Sequence, residues 1–274
     1  MLHLALLPTP PTTDALVNKL VSAGTTLELL KYSEQLFELL FVGGLLQPGG
    51  SYLDDKRSPV YILKNDPEDE AAGWDSVRGI VETLKRVIQR YKYLQKPLEE
   101  DFLPDLLGYL SKWDPAAREK LASAIALFLI ELQLSPKCLQ SLTKDHVVKD
   151  NVALQFLTSF FRAYLAKQSI EQVGSVIRRS GLKDIAAVFP LQSRDRKSME
   201  EHFKKEGLPQ INEWYAKLAL GEVKESTIKT VAMSINEEEP NDAVSAPHDD
   251  LCFGSRTDCS AAENSAKGEC SRRL

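Results

Sequence analysis

Apolar residues recur along this chain at three- and four-residue spacing from Thr13 to about Leu220, the signature of helices with one buried stripe. Thr12, Thr13 and Asp14 supply N-cap side chains ahead of a helix over 15–23. A second helix, 27–41, carries Leu29, Leu30, Leu36, Phe37, Leu39 and Leu40 on a broad apolar face and stops at Gly43-Gly44. Pro48-Gly49-Gly50 forces a turn. The stretch 51–69, with its prolines and the run Val60-Tyr61-Ile62-Leu63, reads as loop with a short extended piece. The clearest periodicity is in 74–94, where Val77, Ile80, Val81, Leu84, Val87, Ile88, Tyr91 and Leu94 form one stripe.

Further helices are predicted over 97–112 and 116–134, the second apolar nearly all round and therefore central. Asp114 caps it and Pro115 occupies its first turn, where a missing N–H costs little. A shorter helix follows Ser135-Pro136. Helices over 152–167, 169–179, 182–189, 193–206 and 209–220 complete the series, with Gly181 and Pro190 as breaks. Strand signals are almost absent. Pairs of helices at roughly 35–45 residues per pair predict an all-α, HEAT/armadillo-like α-α superhelix of stacked helix pairs. An irregular helical bundle is the alternative, because no residue-level repeat is visible.

Outside that region the pattern lapses. Residues 1–12 read as an irregular leader: Met1–Leu7 is apolar, but it lacks a basic segment before it and ends at Pro8, so it does not fit a signal peptide. After Leu220 periodicity is lost, and from residue 231 on nine acidic residues stand against four basic ones. The organisation read from the sequence is thus 1–12 leader, 13–220 helical-repeat domain and 221–274 disordered acidic tail.

Composition narrows function mostly by exclusion. The formal net charge of −5 makes no global case for nucleic acid, which asks for a basic surface. Of four cysteines, three fall after Leu220 at spacings that fit no zinc site, which points to a reducing compartment. No apolar run reaches the roughly 20 residues of a membrane span. No phosphate-binding loop, zinc-protease motif or nucleophile elbow occurs, and the four histidines are scattered, so neither catalysis nor a cofactor or metal is expected. Leu39, Leu46 and Leu53 stand seven apart, but the glycines and proline between them, at about 1 and about 3 kcal/mol each, rule out a zipper helix.

One constellation has functional potential. Arg78, Lys85, Arg86, Arg90 and Lys92 share the polar side of the 74–94 helix, with Glu82 the single acid opposing them there. Such a face is either simply solvated or grips an acidic protein or an RNA backbone. Arg178, Arg179, Lys183, Arg194, Arg196 and Lys197 form a second basic cluster. Trp113 and Trp214 are candidate core or interface anchors.

Particular stretches resemble a known family. They are Tyr32-Ser-Glu-Gln-Leu-Phe-Glu-Leu-Leu-Phe-Val-Gly-Gly-Leu-Leu-Gln-Pro-Gly-Gly50, Arg90-Tyr-Lys-Tyr-Leu94, Phe189-Pro190, Glu201-His-Phe203, Gly207-Leu208 and Trp214-Tyr215. Together, over Asp14 to Leu220, they resemble the basic leucine zipper and W-two domain-containing proteins, also called mimics of translation initiation factor five. The resemblance implies a cytoplasmic, non-catalytic HEAT-type scaffold. Its implied partners are translation initiation factors two and three at the small ribosomal subunit, and it implies no small-molecule substrate. The family's basic N-terminal extension and its C-terminal W-two domain find no match here, so the expectation is a truncated isoform or fragment. An RNA-binding helical module using the Arg78–Lys92 face is the alternative function.

Overall fold

In the computed structural model the described residues are 12–26, 28–55, 57–64, 70–182 and 184–218, with isolated positions 220, 224, 227 and 228. The leader and nearly all of the tail therefore lie outside them, as does Lys183. Contacts divide the chain into a unit ending at Lys224 and a second unit from Glu225. The first unit holds all the helices with defined bounds.

Nine α-helices have their bounds fixed among the described residues: α1 Thr13–Thr26, α2 Ser33–Phe41, α3 Glu70–Arg90, α4 Leu103–Gly108, α5 Pro115–Glu131, α6 Asp145–Val148, α7 Val152–Leu165, α8 Ile170–Ser180 and α9 Arg196–Lys205. Positions 209–218 are helical as well. No strand occurs among the described residues; a lone bridge joins Leu46 to Tyr52, earlier than the Val60–Leu63 run suggested.

The chain alternates between two rows. In the first row α1 packs on α3, α3 on α5, and α5 on α7. The second row holds α2, the 97–108 segment, the 3-10 turns of Pro136–Thr143 and α8, each against the next. Successive segments alternate first row, second row, which is the stacked helix-pair architecture expected from the sequence. The rows are joined by aromatic rings: Phe41 of α2 meets Phe102 at 5.0 Å and Phe128 of α5 at 5.7 Å. A second ring cluster, Phe160, Phe161, Phe189 and Phe203, ties α7 to α9 and the turn before it.

Asp114 and Gly181 mark helix ends as read from the sequence, and Ser169 with Gln172 adds a cap that was not read there. The Asp114 carboxylate accepts from Ala117 N at 2.9 Å at the start of α5. Ser169 and Gln172 form a capping box on α8, and Gly181 closes that helix at φ +81°. Several predicted helices are broken instead. The 97–112 helix is a π-helical turn Pro97–Phe102, a short α4 and a 3-10 turn Leu110–Lys112. Residues 182–189 contain only the 3-10 turn Ile185–Val188. Arg194 holds this region together, donating to the carbonyls of Phe189 and Ala187. α3 ends at Arg90, because Tyr91 leaves helical geometry (φ −119°, ψ 70°), so Lys92 sits on a 3-10 turn rather than on the helix.

The glycine-rich loop after α2 completes that helix. Carbonyls of Leu40 and Phe41, which a helix end leaves without partners, accept from Ile62 N and Leu63 N at 3.0 and 2.9 Å. The chain can fold back this tightly because Gly43 adopts φ +83° beneath the Tyr61 ring. A Cβ at Gly43 would stand 2.5 Å from that ring, whereas one at Gly49 (φ +103°) would meet nothing. Gly49→Ala should therefore lose about 1 kcal/mol through backbone strain alone, and Gly43→Ala the upper end of the ~1–3 kcal/mol range or more. Urea denaturation of the two variants checks this; equal losses would contradict it.

Candidate functional site

α3 is amphipathic, with Val77, Ile80, Val81, Leu84, Val87 and Ile88 buried, so its cationic side must face outward. The packing of the first row then decides what those cations meet. Lys85 reaches Glu131 of α5 at 3.3 Å and Glu82 at 3.6 Å. Arg86 reaches Asp14 of α1 at 2.6 Å and Glu82 at 2.9 Å. Arg78 pairs with Asp75 at 3.3 Å, both about three-quarters exposed. Arg90 lies 6.0 Å from the Tyr91 ring, and neither Arg90 nor Lys92 makes an ion pair among the described residues.

The reading of Glu82 as the single opposing acid is thus corrected. Asp14, Asp75 and Glu131 also compensate this face, two of them delivered by other helices. Hydrogen bonding to Glu131 and the charge of Glu131, then the charge of Glu82, raise the Lys85 pKa above its ordinary value, and hydrogen bonds to Asp14 and Glu82 do the same for Arg86. Both cations already have carboxylate partners.

The cations of the second cluster, Lys183 aside, lie on different elements. Arg178 and Arg179 lie in the last turn of α8. Arg194 is occupied by backbone carbonyls, and Arg196 pairs with Glu200 at 2.8 Å. Lys197 is exposed in the first turn of α9. Trp113 and Trp214 are half-buried against the core: Trp113 meets Tyr52 edge-on at 6.1 Å, and Trp214 covers Gly174 so closely that a Cβ there would stand 2.5 Å from its indole nitrogen.

Two recesses were not legible in the sequence. The first, about 390 Å³, opens on the first row and is lined by Trp74, Val77, Arg78, Val81 and Glu82 of α3, Ser123, Leu127 and Glu131 of α5, Ala163 of α7, and Lys167. Glu131 bridges its walls, accepting a hydrogen bond from Lys85 on one side and ion-paired with Lys167 at 3.5 Å on the other. The second, about 500 Å³, lies between α2, the 44–50 loop and the 97–109 segment. Glu34, Glu38, Asp101 and Asp105 line it with a single cation, Lys31. Glu38 is 7% exposed. Burial, reinforced by Glu34, pushes its pKa up to about 7 against the opposing pull of the Leu46 N–H.

The Cys138 thiol is wholly buried, with its pKa pushed up to about 12 by that burial. Among the described residues no group of His, Cys, Asp and Glu is placed to hold a metal ion, and no helix is long and apolar enough to cross a membrane.

Glu38 makes stability depend on pH in a defined direction. A carboxyl that holds its proton more tightly folded than unfolded loses stability as pH rises from the unfolded value of 4.5 through about 7. Glu38→Gln, whose amide oxygen can still accept from Leu46 N–H, should raise stability at pH 8 by on the order of 2 kcal/mol and leave it little changed at pH 5. Denaturant melts at the two pH values check this; an equal effect at both would contradict it.

Comparison with known proteins places this arrangement. The profile of the 5MP1/2 HEAT domain matches residues 3–225. Protein krasavietz of Drosophila melanogaster is 31% identical over 239 residues, covering 86% of this chain and 55% of the relative. The eIF5-mimic protein 1 of Gallus gallus is 29% identical over 208 residues, 73% of this chain and 48% of the relative. The eIF5-mimic protein 2-B of Danio rerio is 29% identical over 202 residues, 73% of this chain and 47% of the relative. The chain spans about half the length of these relatives. No solved structure matches.

Proposed function

Because the chain belongs to the 5MP1/2 HEAT-domain family, we propose that it is a non-catalytic scaffold of translation initiation that works by binding other proteins of that machinery. The observation that carries this reading is the match over residues 3–225, which takes in every helix of the layered stack. The names of the relatives, mimics of initiation factor five, narrow the class of partner to initiation factors. We assign factors two and three, in the small-subunit complex and in the cytoplasm, from the family resemblance in the sequence.

The face used is the solvent side of the first row, from Arg78 to Arg90 on α3 together with Lys92. Its charge compensation favours a protein over RNA. Phosphate binding draws affinity from cations that are free to displace counterions, and Lys85 and Arg86 already donate to Asp14, Glu82 and Glu131. A protein partner can instead exchange one carboxylate for another and match an ordered array of both signs.

Among the described residues Arg90 and Lys92 make no ion pair, so they give the cleanest test. The double charge reversal Arg90→Glu/Lys92→Glu should leave the melting curve unchanged and weaken retention of purified initiation factors by the chain about five- to tenfold. Steep, salt-dependent retention of RNA by the unaltered chain, with no retention of either factor, would overturn the reading in favour of RNA.

A further inference from the structure

The recess on the first row has the form of a furrow for one helix. Ser123, Leu127 and Glu131 of α5 lie at i, i+4 and i+8, one line along the helix axis. Eight residues of α-helix rise about 12 Å, which sets the length of the furrow at roughly two helical turns. Trp74, Val77, Arg78, Val81 and Glu82 run alongside on α3 over the same length, and Ala163 and Lys167 close the opposite side. α3 and α7 each pack on α5, and the recess runs along α5 between them. Its open apolar surface is small: the half-buried Leu127 and Ala163, over the buried Val77 and Val81, with the half-buried Trp74 at one end.

Charge selects the occupant. The two acids of the lining are each held between two cations, Glu82 by Lys85 and Arg86, Glu131 by Lys85 and Lys167. The lining cations, at the two rims, have donors left over. Arg78, three-quarters exposed, is tied only to the equally exposed Asp75, a pairing of little strength. Lys167, half exposed, touches a single Glu131 oxygen at 3.5 Å. An incoming carboxylate can take up both.

We infer that this furrow between α3 and α7 docks an amphipathic helix of a partner protein, with an apolar stripe at i, i+3 or i+4 and i+7, and with acidic residues flanking the stripe on both sides. The apolar stripe lies on Leu127 and Ala163 against Trp74, and the acidic flanks meet Arg78 and Lys167. This is a helix-in-groove contact, in which the floor supplies affinity and the rims supply register. The inference rests on the proposed scaffold function and names the partner element for the same face.

Two labelled 18-residue helical peptides test it by fluorescence anisotropy against the full chain. They share one leucine stripe and differ only in carrying Glu or Lys on its flanks. The Glu peptide should bind at least about tenfold more tightly than the Lys peptide. Reversing both exposed rims, Arg78→Glu/Lys167→Glu, should invert that order while the helical circular-dichroism spectrum stays unchanged. Ser123→Arg, which fills the floor, should weaken both peptides. Equal or stronger binding of the Lys peptide, Glu-peptide binding that survives the rim reversal, or no binding of either peptide would overturn the inference. Initiation factors still retained by the chain in those cases would leave the scaffold reading standing and move its contact elsewhere.

Discussion

Helix α5 is apolar around almost its whole circumference, and the rest of the stack is organised by the need to cover it. Leu121, Ala122, Ala124, Ile125, Ala126 and Phe128 are all fully buried and together take up more than half of the helix circumference. A single neighbouring helix covers one stripe; α5 needs α3 on one side, α7 on the other and the second row beneath. Its alanines let those neighbours come close, and its Phe128 reaches across to Phe41 of α2. The cation at Lys120 obeys the same constraint. Its stem lies in the core while its ammonium donates to the Lys64 carbonyl at 2.7 Å. Burial of α5 therefore fixes the spacing of α3 and α7, and that spacing creates both the Lys85–Glu131–Lys167 ladder and the furrow beside it.

The same constraint explains which parts of the molecule were legible in the sequence. Periodicity is a local signal, so α1, α5, α7 and α8 stand close to where spacing put them, and Asp114 and Gly181 mark ends as read. Breaks set by tertiary packing were not legible. Tyr91 keeps the apolar rhythm of α3 yet leaves the helix, its hydroxyl donating to the Val21 carbonyl of α1. Residues 97–112 hold a continuous pattern but change between π, α and 3-10 turns as they pass under α2.

The candidate surface was half legible for the same reason. Placing Arg78, Lys85, Arg86 and Arg90 on one side of a helix needs only 100° per residue. Knowing what faces them needs residues distant in sequence: Asp14 lies 72 positions from Arg86 and Glu131 lies 46 from Lys85. A bare basic face became a compensated one, and the case for RNA weakened with it. The furrow left no linear trace at all, because three separate helices build it from ordinary core-edge residues.

If α5 is the element that the fold cannot release without coming apart, its amides must be the last to open. Native-state hydrogen exchange measures this directly. Amides of 119–131 should exchange most slowly, opening only with global unfolding, while those of α1 and α9 at the edges exchange through smaller openings at lower cost. Protection in α5 no greater than in α1 or α9 would contradict the central role given to that helix, and with it the fixed geometry from which the surface was derived.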